Sequence, residues 1–219
     1  MNNSIFMAIV KNGILGPGSG KVGPVVMVQR NGKSYLRAVE TSRKDPNTEA
    51  QQKQRDFYKD VVDFLTPIRN YIEKGIVSYD KSVTSYNVAL SQIIKEAFVE
   101  TDESKNIDYS KVEVSKGSLI GVENVSATCD GGKMTFNWHD DSSAEEGISA
   151  TDTVMPMVYN IDKKRAVFKL GKFKRSDSSA VLDIPAHWSG DKVVAYVGVR
   201  DEKAKRCSDS IYLGEYVVD

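Results

Sequence analysis

The chain changes its hydrophobic period once, near Tyr109, and no single-class fold accommodates both patterns. Between Ala50 and Phe98 apolar residues recur at helical spacing. Phe57, Val61, Phe64, Ile68 and Tyr71 follow in alternating steps of four and three, and Val83, Tyr86, Leu90, Ile93, Ile94, Ala97 and Phe98 form a second series. Beyond Tyr109 the alternation is of period two, the signature of strands with one buried face. Candidate strands are Lys111–Ser115, Val122–Cys129, Lys133–Trp138, Thr153–Asn160, Arg165–Leu170, Ser179–Ile184, Lys192–Arg200 and Ser210–Val218. The connections carry turn chemistry: Asp130-Gly131-Gly132, Asn160-Ile161-Asp162, Ser189-Gly190-Asp191 and Arg200-Asp201-Glu202. Short strands with turn signals and no crossover helices predict an antiparallel, immunoglobulin-like sandwich. Within it Met134, Phe136 and Trp138 share one face, with Trp138 placed as a buried sandwich tryptophan.

The N-terminal stretch adds a third pattern. Val25–Arg30, then Asn31-Gly32, then Lys33–Val39 is a hairpin signal, because Asn-Gly is the preferred two-residue turn with positive φ at both positions. A lone hairpin is marginally stable, so this arm must lie against its own domain or a neighbouring subunit. Asp45-Pro46-Asn47-Thr48 is a turn and capping cluster, with Gln51 placed as in a capping box. Pro67 should kink or end the first helix and Gly75 should stop it. A second helix over 81–100 would complete a helical hairpin. The expected fold is α+β: an N-terminal β-hairpin arm and helical hairpin over 1–105, then the sandwich over 106–219.

The run Gly13-Ile14-Leu15-Gly16-Pro17-Gly18-Ser19-Gly20-Lys21-Val22-Gly23-Pro24 imitates a phosphate loop. A real one needs G-x-x-x-x-G-K-[ST] opening a helix. Aligning Gly20-Lys21 puts Leu15 at the first glycine and Val22 at the hydroxyl, and the β-prone Pro24–Val28 follows. The alternative Gly18/Gly20/Gly23 match also leads into a β-rich segment. The residues therefore argue against a nucleotide site.

Formal net charge is zero, with 30 basic and 30 acidic residues, so no global field draws the chain to nucleic acid or membrane. The distribution is uneven. Residues 1–44 carry Lys11, Lys21, Arg30, Lys33, Arg37, Arg43 and Lys44 against Glu40 alone, whereas 100–162 carry thirteen acids against four lysines. Solvated faces, or complementary patches for copies or partners, both fit. No run reaches the roughly 18–20 apolar residues of a membrane span. Ile5–Val10 is too short for a secretion signal, so the chain is expected to stay on the cytoplasmic side or be assembled there. Cys129 and Cys207 are too few for a disulfide scaffold and are expected as unpaired thiols.

Catalytic and metal chemistry find little purchase. His139 beside Asp140 and Asp141, and His187 beside Trp188, supply metal-ligating types, yet both read as loop edges. The acidic stretch Asp140–Glu146 lacks calcium-loop spacing and there is no G-x-S-x-G elbow. No cofactor, metal or catalytic set is expected. The basic arm, with Tyr35 between Lys33 and Arg37, offers phosphate-contact chemistry or simply a solvated face.

Several segments carry a resemblance: Gly13–Gly16, Gly20–Gly23, Tyr35-Leu36-Arg37, Asn47–Phe57, Ile107–Leu119 and Pro185–Asp191. Together they resemble an uncharacterised family of Bacteroidota proteins of about this length. The N-terminal glycine pattern is also similar to small proteins of tailed-phage structural modules, although the Asp45-Pro46-Asn47 order departs from theirs. That likeness implies a non-enzymatic structural or interaction protein, most concretely a capsid or head-associated accessory protein of a Bacteroidota phage, with protein subunits as partners. Val25, Val26, Tyr35 and Leu36 would supply apolar contact, with Lys21, Arg30 and Arg37 as a polar rim. The seam Phe57, Val61, Phe64 and Ile68 is expected to pack against another chain. Two alternatives remain: a carbohydrate- or cell-surface-binding module using Trp188, Tyr159 and Tyr196, and a nucleic-acid-binding protein using the basic arm.

Overall fold

A computed structural model describes residues 7–10, 18–30, 32–39, 47–78, 82–101, 104–140, 142, 147–201, 203 and 206–219. Asn31, the Asp45-Pro46 turn, glycines 13 and 16, and residues 141 and 143–146 of the acidic stretch lie outside these. The chain divides into two compact units, 1–48 and 49–219.

The first unit is a four-stranded antiparallel sheet built from β1 (Met7–Val10), β2 (Gly20–Val22), β3 (Val25–Arg30) and β4 (Lys33–Ala38), in the order β1-β4-β3-β2. The expected hairpin is its centre, with Arg30 paired to Lys33 across the turn and Gly32 at φ 72°. The marginal stability of two strands is thus relieved within the unit, by one further strand on each edge.

The second unit begins with helices. α1 (Glu49–Leu65) stops two residues before Pro67, whose ring cannot donate to the ladder, and α2 (Arg69–Gly75) resumes immediately. α3 (Ser85–Glu96) is shorter than expected at both ends. Thr84 caps it, its hydroxyl accepting from the Asn87 amide at 3.2 Å. Beyond Ala97 the chain turns extended into β5 (Phe98–Glu100), paired with β6 (Lys105–Ile107). The expected strand at Lys111–Ser115 is instead a 3-10 turn over Tyr109–Lys111 and an extended connector. Asp108 accepts from both the amide and hydroxyl of Ser110, which draws the backbone into that turn.

The remaining strands form two sheets. β7 (Glu123–Asp130), β8 (Lys133–His139) and β12 (Ser179–Asp183) make one, in the order β12-β8-β7. β9 (Thr153–Asn160), β10 (Arg165–Phe168), β13 (Lys192–Arg200) and β14 (Ile211–Val217) make the other, in the order β10-β9-β13-β14, and β11 (Phe173–Lys174) also pairs with β9. Asp130-Gly131-Gly132 closes the β7–β8 hairpin with positive φ at both glycines.

The sheets face each other across Met134, Phe136, Trp138, Leu182, Val154, Val158, Val193, Ala195, Val197 and Val199. The opposite face of the β9/β13 sheet is buried as well. Met155, Met157, Tyr159, Val194 and Tyr196 point outward from the sandwich and pack under Phe57, Val61, Phe64, Ile68, Tyr71 and Ile93 of the helices. The body is therefore three layers, helix on sheet on sheet. The division expected at 105/106 does not coincide with its boundaries, because the helices and the sheet share one core.

Two details explain how the middle sheet tolerates its sequence. Pro156 sits where β10 and β11 leave a gap along β9, so its missing N–H breaks no ladder on that side. Tyr71 from α2 donates to the Met155 carbonyl at 2.7 Å, its hydroxyl lying beside Gly198 of β13. The connector 112–119 is then clamped between layers. The Lys116 amide donates to Gly75, Leu119 to Cys207, and Val114 to the Ser210 hydroxyl. A Cβ on Gly117 would collide with the Cys207 carbonyl oxygen, and one on Gly198 with the Ser115 hydroxyl, so glycine is required for close approach at both.

Candidate functional site

The register of the N-terminal sheet sorts its side chains by face. Val26 lies opposite Arg37 on β4 and Lys21 on β2, Val28 lies opposite Tyr35, and Arg30 opposite Lys33. Directly paired residues project to the same side. Lys21, Val26, Val28, Arg30, Lys33, Tyr35 and Arg37 therefore share one face. The other carries Val25, Met27 and Leu36, with Met27 only 7 % exposed. The interaction residues expected from sequence do not form one surface: Val25 and Leu36 belong to the covered side, because alternation places them out of phase with Tyr35 and Arg37. Val28 and Lys33, absent from that set, join the open side, and the two-residue turn fixing Arg30 to Lys33 is the signal that finds them.

Lys21, Arg30, Lys33 and Arg37 are all exposed, Val28 is 39 % exposed, and Tyr35 and Val26 are half-buried. None of the four cations has a carboxylate partner among the described residues. Gly20–Val22 is a strand and Gly23-Pro24 a turn into β3, so nothing after Gly20-Lys21 offers the helix N-terminus a phosphate loop requires.

The helical seam lies elsewhere than expected. Phe57, Val61, Phe64 and Ile68 are at most 1 % exposed and belong to the core of the second unit. Phe64 meets Tyr159 edge-on with centroids 4.6 Å apart, and Tyr71 meets Phe168 at 5.7 Å. A four-three stripe looks the same whether it faces a helix or a sheet; here it faces the sheet. These side chains are intramolecular core and offer no surface to another chain.

Trp188, Tyr159 and Tyr196 are likewise buried, at 2, 1 and 0 % exposure. Burial raises the Tyr159 and Tyr196 phenols above their ordinary range, and Tyr196 donates to the Tyr109 carbonyl at 2.7 Å. The aromatic platform that motivated a carbohydrate site is not at the surface.

No cluster of three metal-ligating side chains occurs among the described residues. Around His187, the Lys163 ammonium bonds the His187 carbonyl and the Asp191 carboxylate, and Asn160 donates to Asp191 at 2.7 Å. That network ties two turns together and holds the Asp191 carboxyl below its usual pKa, the Lys163 bond first among the causes. Cys129 and Cys207 are free thiols. Burial pushes Cys207 up to about 11, which leaves a poor nucleophile. A groove is lined by Ile76, Ser78, Val83, Val88, Lys116, Ser118 and Asp209, and the Ser78 hydroxyl donates to the Val83 carbonyl at 2.7 Å. No helix of the described residues is long and apolar enough to cross a membrane.

By strand order the second unit is an antiparallel, immunoglobulin-like sandwich, carrying a helical layer on its five-stranded sheet. Residues 17–214 match the model of a family of unknown function, DUF6266, and the chain belongs to that family. Among solved structures it is similar to the fn3 domain of human collagen alpha-1(XX) chain, at 11 % identity and TM-score 0.32, over 48 % of this chain and 87 % of that one. It is similar to the fn3 domain of human contactin 1 at the same identity and score, over 48 % of this chain and 83 % of that one. No curated protein matches the chain.

Proposed function

We propose that the chain is a non-enzymatic structural or interaction protein that docks through its N-terminal sheet. Its most concrete form is an accessory component, capsid or head-associated, of a Bacteroidota phage particle, assembled in the host cytoplasm from protein subunits. The observation that carries the reading is the N-terminal unit itself. It is a compact sheet whose open face gathers four exposed cations, Lys21, Arg30, Lys33 and Arg37, around Tyr35 and two valines. The body, whose helical layer and sandwich fill each other's apolar surface, serves as the scaffold.

Truncation to residues 49–219 tests the reading. The truncated body keeps its cooperative melt, while mass spectrometry of purified particles finds the tagged full-length chain and not the truncated one. Equal incorporation of both would end the proposal.

A further inference from the structure

We propose that the open face of the N-terminal sheet binds single-stranded nucleic acid, through the phosphate backbone and by stacking on Tyr35. The inference rests on the docking role given to this sheet above and names its partner.

The face is organised in three rows across the strands. Lys21, Val26 and Arg37 form the first, Val28 and Tyr35 the second, and Arg30 and Lys33 the third. Successive rows lie two residues apart along β3, about 7 Å, so the cationic rows bracket the aromatic row at a span of about 13 Å. Lys21 and Arg37 flank Val26 from β2 and β4, about 10 Å from one another. A half-buried ring between two cationic rows is the arrangement a single strand uses: phosphates at the charges, a base on the ring.

Charge and apolar content together favour this partner over an acidic protein. The open face sets Val26, Val28 and Tyr35 among four exposed cations, whereas the core of a protein interface is apolar and depleted in charge. Lysine is depleted at such interfaces, whereas nucleic-acid interfaces are polar and strongly positive. Across 1–48 the sequence holds seven Lys and Arg against Glu40 and Asp45. The rest of the chain is net acidic by the same margin, which brings the total to zero.

The test is fluorescence anisotropy of a labelled 20-nucleotide oligothymidylate with the full chain at 50 mM salt, repeated to 200 mM. Binding is expected, with log K falling against log salt at a slope of about −3 or shallower, the limit for four contacts on a single strand. Lys21→Gln with Arg37→Gln should weaken binding at least tenfold and flatten the slope by about 1.4, and Tyr35→Ala should weaken it about fivefold or more without changing the slope. Arg30→Gln with Lys33→Gln beside the turn serves as an independent second variant, and circular dichroism checks both. Absence of binding at 50 mM salt overturns the proposal. So does full competition by polyglutamate, which would assign the face to acidic protein instead. In either case the docking role survives if the truncated chain is still excluded from particles, so the two readings fail separately.

Discussion

The N-terminal sheet and the middle sheet of the body use the same antiparallel ladder, yet they solve opposite problems. In β3 burial falls along the strand from Met27 to an exposed Arg30, and charges crowd one face. In β9 and β13 nearly every residue is buried, because the sandwich covers one face and the helices the other. The difference is visible in composition: Val154-Met155-Pro156-Met157-Val158-Tyr159 is unbroken by any charge, whereas Val25–Lys33 mixes apolar and basic residues. A sheet with two covered faces spends its side chains on cohesion; a sheet with one keeps side chains free for contact.

The largest expected effect comes from placing a charge in the covered sheet's helical lid. Phe64→Lys should destabilise 49–219 by more than about 4 kcal/mol, since an unpaired ammonium would replace a ring seated against Tyr159. Loss of the thermal transition is the readout; a folded, monomeric product would restore the seam to the surface. Next, Gly117→Ala should cost about 1–3 kcal/mol, because its Cβ meets the Cys207 backbone. Gly121→Ala, whose Cβ would have ordinary contacts from 3.8 Å, should cost far less, and urea titration of the pair sharpens the contrast.

A third expectation concerns pH. Burial pushes the Tyr109 phenol up to about 12. Its folded value is raised above the unfolded one of about 10, so its contribution is complete below pH 10 and is lost as pH climbs from about 10 through 12. Melting temperature should fall across that window, and less steeply in Tyr109→Phe. The smallest effect belongs to the open sheet: Arg37→Glu should shift stability by no more than about 0.5 kcal/mol, since the side chain is exposed. A large loss there would show that the basic face is structural.

Much of this was legible in the residues. Thr153–Asn160 and Lys192–Arg200 are strands at their expected ends, and Pro67 and Gly75 punctuate the helices as their chemistry requires. What escaped was which surfaces meet. The spacing of Phe57, Val61, Phe64 and Ile68 declares a buried stripe but not its partner, and the continuous apolar run in β9 was the available sign that the partner was a sheet. Tyr159 and Tyr196 stand beside turn-bearing segments and read as displayed aromatics, but alternation within β9 and β13 turns them toward the helices. In the N-terminal sheet the same period-two count separates Val25 and Leu36 from Tyr35 and Arg37.

The clamped connector 112–119 has a consequence for descent. A sandwich that borrows its outer wall from helices upstream, and locks the two with Gly117 and Gly198 at closest approach, is not a transferable cassette. Recombination that joined such a sandwich to a foreign leader would expose Met155, Met157, Tyr159, Val194 and Tyr196 to water at once. The helices and sandwich must therefore be inherited together, as one piece.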